Sequence, residues 1–368
     1  MPKTHGWHAF CKGMGTAGLP YWSADEIFSL TGDNTMRIVK TAVAAAVAVS
    51  LMGAVSAQAK EITIKFSHVT GGTTHPKVLA ANAFAERVNK EMAGKVKVEV
   101  FGGGSLFNDD ELLIELIKGK AVQMGSPSLS KFESITKKFR IFDLPFLFDD
   151  IDAVNRFQKS AKGQELLNSM SHKGILGLTF WHNGMKQMSA NKPLVTPADA
   201  KGLKFRVQQS DVLVAQMQAL DASAQKLAFK EVYSALQTGV VDAQENTWSN
   251  IYTKKFYQVQ DGVTETNHGI LDYAVITSKR FWMGLPDDVR ADLERILHEV
   301  TAERNKQSYE LNQAYKAKIL ADPNNNKIVQ LSAEQRQAWK DAMKPVWAKF
   351  EGDIGKDMMD AAHAANKM

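Results

Sequence analysis

Arg206 is the residue of this chain whose type and setting most invite chemistry. It lies in the run Gly202-Leu203-Lys204-Phe205-Arg206-Val207, where Leu203, Phe205 and Val207 alternate with Lys204, Arg206 and Gln208. That is the period of a half-buried strand, and it sets the guanidinium on the face opposite the three apolar side chains. A planar guanidinium on a rigid strand can grip a carboxylate through two parallel N–H donors, which a lysine cannot do. The same pattern also fits an arginine in an ordinary surface ion pair. Downstream, the polar run Gln244-Glu245-Asn246-Thr247 closes on Trp248, so amides and an aromatic return within the same stretch.

The elements that position these residues can be read from periodicity. After the strand, 211–220 has helical spacing, and Phe229, Val232, Tyr233 and Leu236 place a second helix over 229–237. Upstream, 61–68, 96–100 and 121–124 read as strands, with helices over 75–92 and from Asp109-Asp110 through Ile117. This β-α-β-α-β order implies a parallel sheet with helices on both faces. The segment 142–148 is an apolar loop fit for the core, 152–170 reads as one helix, and 175–181 is an apolar strand ending in His182-Asn183-Gly184, a crossover point. Lys186 then opens a second α/β unit, and 271–277 returns as a strand to the first sheet. From Pro286, placed at the first helical position, one helix runs to about Leu320. It is long enough to brace both units. The tail holds a helical segment over 332–350, with a capping box at Ser332 and Gln335, and a short last helix.

The 368 residues suggest two domains, and 44% hydrophobic with 23% charged residues is an ordinary globular composition. The net charge of +5 is spread among acids without a basic block, which argues against a nucleic-acid partner. Met36 begins a stretch with Arg37 and Lys40, a short apolar run over 41–55 and the small-residue site Ala57-Gln58-Ala59. We read 36–59 as an export signal cleaved near Ala59, and 1–35 as a mis-assigned N-terminal extension. The single cysteine, Cys11, lies in that extension, so the mature chain offers no disulfide and no thiolate. Removing the four basic and three acidic residues of 1–59 leaves a net charge of +4. There is no Gly-x-Ser-x-Gly elbow, no phosphate loop and no His-Glu-x-x-His; the run Gly102-Gly103-Gly104 lacks the spacing of a dinucleotide site. The histidines show no metal-ligand spacing, so neither a metal nor a cofactor is expected.

Five ordered motifs carry a resemblance: Asn183-Gly184-Met185-Lys186-Gln187, Gly202 to Val207, Ala228-Phe229-Lys230-Glu231-Val232-Tyr233, Ala235 to Gly239 and Val241 to Asn246. In order and spacing they are similar to the solute-binding proteins of TRAP transporters, of the dicarboxylate-binding (DctP) type, and the similarity runs over essentially all of 60–368. The resemblance implies an exported periplasmic protein with the type II periplasmic-binding fold: two α/β lobes, a hinge and a long helix bridging both. It implies no catalysis, a small organic acid as ligand, and the small and large membrane permease components as partners. The lobes are expected at 60–183 with 272–311 and at 184–271 with 312–368. The family's carboxylate-binding arginine falls on Arg206, and a second cation, often arginine in the family, on Lys186. The pocket asparagine falls on Asn246, and Phe229 lines the floor. The far carboxylate of a C4-dicarboxylate such as succinate, fumarate or malate then needs donors from the first lobe, for which His75, Lys77, Ser126 and Ser128 are candidates. Trp248 either packs on the ligand or seals the hinge. A sugar acid, an aromatic acid or a keto acid in the same fold, an exported enzyme acting on a carboxylic acid, and a sensor partner are the alternatives.

Overall fold

A computed structural model of the chain describes residues 60–323 and 328–367, so the expected signal, its cleavage site and Cys11 lie outside the described residues. The first lobe grows from alternating apolar strands. β1 (Ile62–Ser67) buries Ile64 and Phe66 and β2 (Val96–Phe101) buries Val96 and Val98; α1 (Pro76–Glu91) covers them with Ala81, Phe84 and Val88. Each of the valine, isoleucine and phenylalanine side chains contributes roughly 1.5–3 kcal/mol by leaving water. After α2 (Asp109–Lys118) comes the two-residue β3 (Met124–Gly125), then α3 (Ile151–Lys159), α4 (Ala161–Asn168) and the long β4 (Ile175–Met185).

The second lobe contains β5 (Gln187–Ala190), β6 (Lys204–Val207), α5 (Asp211–Ala219), β7 (Ser223–Lys226), α6 (Val232–Gln237), β8 (Ala243–Asn246), α7 (Trp248–Thr253) and β9 (Gly262–Glu265). The chain then returns through β10 (Ile270–Ser278), α8 (Lys279–Met283), α9 (Asp287–Leu320), β11 (Ile328–Gln330), α10 (Ala333–Met343), α11 (Pro345–Ile354) and α12 (Lys356–Asn366). One sheet has the order β2-β1-β3-β10-β4 and the other β11-β9-β5-β8-β6-β7. β1 pairs parallel with β2 and β3, whereas β10 runs antiparallel to β3 and β4, because it enters the first sheet from the second lobe. The strands β7, β9 and β11 were not legible from periodicity: they are three or four residues long, and β7 is mostly exposed.

Several boundaries differ from the sequence reading. Residues 152–170 form two helices, since Ser160 turns extended and caps the second through Gly163 N–H at 3.2 Å. Over 229–237 the first three residues are a 3₁₀ turn. Pro286 is the N-cap of α9, one position before the helix proper. Pro345 restarts the tail as α11. That restart redirects the chain. α10 buries Trp339 and Met343 with Phe205 and Val207 of the second lobe, but α11 and α12 bury Phe350, Ile354 and Met358 with Phe142 and Phe157 of the first. Assigning all of 312–368 to the second lobe therefore does not hold for α11 and α12.

Besides α9 and the return through Pro345, two strand crossings join the lobes, at Lys186 between β4 and β5 and at 266–269 between β9 and β10. They lie side by side, with Lys186 N–H donating to Gly269 O at 2.8 Å. α9 spans both lobes: Leu293, Ile296 and Val300 pack on the first sheet, Tyr315 and Ile319 on the second lobe. Asn312, in its C-terminal third, ties the crossing together. Its side chain donates to Asn183 O and to Ser308 O and accepts from Ser249 N–H at 3.0 Å. Gly184 carries φ +153°, and a Cβ there would sit 3.1 Å from Asn312 Nδ2. Among the described residues, no helix is long and apolar enough to cross a membrane.

Candidate functional site

The C-terminal ends of strands from both sheets converge on one cavity with about 620 Å³ of empty space, part of it open to solvent. Val69 follows β1, Ser128 follows β3, Arg206 lies near the end of β6 and Gln208 just after it, and Asn246 ends β8; Tyr273 comes from β10 and Lys77 from the first turn of α1. Carboxyl ends of strands in open α/β sheets are where ligands bind.

Arg206 is 2% exposed, and Phe205 and Val207 on the other face of β6 enter the second-lobe core. Its Nε and Nη2 both donate to Leu227 O, at 3.1 and 2.8 Å. The carbonyl clamps one edge of the guanidinium and leaves three of its five N–H groups, two on Nη1 and one on Nη2, without a protein acceptor. That free edge has the geometry of a fork. Burial pushes the guanidinium down to about 10, against the raising influence of Glu245 and other carboxylates. Phe229 lines the same cavity and is fixed edge-on against Phe256 at 6.1 Å between centroids.

Lys77 stands on the first-lobe wall. Its Nζ donates to Ser126 O at 3.0 Å and rides 3.7 Å above the Tyr273 ring. Burial brings it down to about 8, although Asp109 raises it. Asn246 is fully buried; its Nδ2 donates to Gln244 Oε1 and its Oδ1 accepts from Asn250 Nδ2, both at 2.7 Å. Asn250 Oδ1 in turn accepts from His75 Nε2 at 2.8 Å, while His75 Nδ1 takes the Lys77 backbone N–H at 3.1 Å. Because Nδ1 accepts, the imidazole proton sits on Nε2. Burial lowers His75 to about 3, with Lys77 adding to the effect, so the ring is neutral.

The structure thus brings Arg206, Phe229, Asn246, Lys77 and Ser128 to one cavity and leaves four expected residues off its wall. Lys186 is fully buried, and its Nζ lies 2.7 Å from Glu245 Oε2 and 4.0 Å from Asp143 Oδ1. Its contact with Glu245 is out of line for a hydrogen bond and therefore chiefly coulombic. Glu245 alternates to the face of β8 opposite Asn246, so Lys186 serves a buried charge cluster behind the cavity floor. The same cluster holds His268 Nε2, 3.0 Å from Glu245 Oε2. Burial drives Glu245 upward, but Lys186 and His268 outweigh it and bring it to about 2; burial pushes Asp143 up to about 6. His75 is the N-cap of α1 and reaches the site only through Asn250. Ser126 contributes its carbonyl to Lys77. Trp248 packs with Tyr315 and Ile319 at the hinge, 5.8 Å beneath Lys316 Nζ, and does not touch the cavity.

Tyr273, Asn250, Gln208, Asp109 and Lys131 line the cavity and were not selected from sequence. Asn250, four residues beyond Asn246 in the first turn of α7, was the most legible of these. Tyr273 reads as an ordinary residue of an apolar strand, and Asp109 as a helix-start acid. In all, four cations (Lys77, Lys131, Arg206 and Lys230) face two acids (Asp109 and Asp110) on the wall, an excess of two positive charges.

Residues 66–353 match the family model described as bacterial extracellular solute-binding protein, family 7. The chain is 59% identical over 307 residues to the C4-dicarboxylate-binding periplasmic protein DctP of Vibrio cholerae, covering 83% of this chain and 92% of that protein. A TRAP periplasmic solute-binding protein of Shewanella oneidensis, solved with bound succinate, superposes with a TM-score of 0.81 at 52% identity, over 83% of this chain and 99% of that one. Its counterpart from Pseudomonas aeruginosa, solved with bound L-malate, gives 0.76 at 48% identity, over 78% and 99%.

Proposed function

The chain belongs to bacterial extracellular solute-binding protein family 7, and from that premise we propose that it captures a C4-dicarboxylate in the cleft between its lobes. The observation that carries this reading is the pairing, in one cavity, of the unclaimed Arg206 edge from the second lobe with Lys77 from the first. Arg206 holds one carboxylate bidentately with help from the spare N–H of Asn246, and Lys77 meets the other end. The cavity's excess of two positive charges is equal and opposite to the charge of a dicarboxylate. Burying either carboxylate without such donors would cost several kcal/mol. The relatives solved with succinate and with L-malate support the same ligand class.

Export with cleavage near Ala59, delivery to the small and large subunits of a membrane permease, and the absence of turnover belong to the same reading. The hinge at Lys186 and 266–269 is where the lobes close over the ligand. Isothermal titration calorimetry with succinate, fumarate and malate, beside galactonate and an aromatic acid, tests it. Saturable binding of the C4 acids, recovered unchanged, is the expected result. Binding confined to the other acids, or conversion of the bound acid, overturns it.

A further inference from the structure

Two buried oxygens at the first-lobe end of the cavity have no hydrogen-bond partner. Asp109, 5% exposed, accepts the Ser128 backbone N–H through Oδ2 at 3.3 Å, but its Oδ1 has none. Ser128, 3% exposed, leaves its Oγ equally unpartnered. Both residues line the cavity. Buried polar atoms in folded proteins nearly always find partners, so two such orphans on one wall need an explanation. Neither is needed to hold α2, whose N-cap is Asn108, bonded to the backbone N–H groups of Asp110 and Glu111.

The chemistry of the two orphans narrows what can satisfy them. Asp109 Oδ1 only accepts, so it demands a donor. A second carboxylate would repel it, and a methylene would leave it unpaired. Ser128 Oγ can donate or accept. A group that donates to Asp109 and accepts from Ser128 is a hydroxyl. Asp109's negative charge is tolerable in an anion site because Lys77 stands within coulombic reach of it.

Resting on the dicarboxylate reading above, we infer that Asp109 and Ser128 form a hydroxyl subsite, which makes a C4-dicarboxylate with a 2-hydroxyl the preferred ligand over its unsubstituted analogue. Asp109 Oδ1 accepts the hydroxyl proton and Ser128 Oγ donates to the hydroxyl oxygen. Because the subsite lies on one wall, it also distinguishes the two enantiomers. A site built around a buried charged acceptor penalises the ligand that lacks the donor, roughly tenfold or more in affinity.

Calorimetry on the full-length gene product, with L-malate, D-malate and succinate, tests this. One malate enantiomer is expected to bind roughly tenfold or more tighter than succinate. In Asp109→Ala that ratio falls toward unity, and in Ser128→Ala it falls part of the way. Equal affinity of the wild type for all three acids overturns the subsite while leaving the dicarboxylate reading intact. An Asp109→Ala protein that weakens all three by one common factor also overturns it. Should Asp109→Ala fail to fold, Ser128→Ala and Asp109→Asn carry the comparison, and an unchanged ratio in both refutes the assignment. Binding of none of the three acids refutes both readings together.

Discussion

Replacing Arg206 by methionine keeps an unbranched stem on the cavity face of β6 and removes the charge. Two effects oppose each other in the ligand-free protein. Burial, partly offset by Glu245 and other carboxylates, lowers the guanidinium from 12.5 to about 10, a net cost to the buried charge of roughly 3 kcal/mol that the substitution relieves. Against this, Leu227 O loses two donors, each worth about 0.5–1.5 kcal/mol. The ligand-free variant is therefore expected to melt at or slightly above the wild-type temperature. In the complex, a buried carboxylate loses its counter-charge, which costs roughly 3–5 kcal/mol, or about two to three and a half decades in Kd. At a ligand concentration near 100 Kd of the wild type, native-state stabilisation is about 2.7 kcal/mol. A loss of two decades reduces it below about 0.5 kcal/mol. Thermal-shift titrations read both quantities in one series: an undiminished melting temperature without ligand, and no shift with it. A variant that keeps the wild-type shift, or whose Kd rises less than about tenfold, would falsify the role given to Arg206.

Lys186→Met should behave in the opposite way: stranding Glu245 in the core lowers unfolding free energy by roughly 3–5 kcal/mol in urea titrations, while Kd at permissive temperature stays close to wild type; the double variant with Glu245→Leu should regain most of the loss. Lys77, at about 8 when folded and 10.5 when unfolded, sets a pH profile. Affinity is flat below about pH 7.5 and weakens by up to tenfold per unit above about 8 as Lys77 loses its proton, and Lys77→Met flattens that profile in calorimetry. The same depressed value works with the opposite sign on ligand-free stability. The unfolded chain binds the extra proton between about 8 and 10.5, so the Lys77 contribution to unfolding free energy increases as pH rises through that window. Gly184→Ala pushes a methyl group against Asn312 at a φ of +153° and should cost roughly 1–3 kcal/mol in calorimetric stability.

What was legible in the sequence was what repeats or alternates. β6 could be read because Leu203, Phe205 and Val207 keep strict alternation, which also fixed the face of Arg206. α9 was legible from 34 residues of helical spacing. The site was less so, because two physically different lysines look alike in sequence. Lys77 follows a proline at a helix start and Lys186 sits between two strands, and both are buried. Only the fold reveals that Lys186 has Glu245 beneath it while Lys77 has a tyrosine face and the cavity. Tyr273 escaped for the same reason: on a strand buried at every position, the residue that faces the cavity carries no distinguishing pattern. The tail departs from its helical spacing because Pro345 breaks it, and that one break sends α11 and α12 back to the first lobe.

The two cations define what closure must accomplish. Burial weakens the charged forms of Arg206 and Lys77, to about 10 and about 8, so bringing the lobes together around them is unfavourable on its own. A ligand can shift that equilibrium only by interacting more strongly with the closed form than with the open one. On the proposed reading a dianion does so at both ends, because its carboxylates meet two cations carried by opposite lobes. A monocarboxylate of the same length neutralises one end and leaves the other cation buried and unpaired. The relay from His75 through Asn250 to Asn246 runs across the same gap, and it aligns only when both lobes are in place. Selection for two charges is in this sense a property of closure rather than of either wall, since neither lobe alone presents both cations to the ligand.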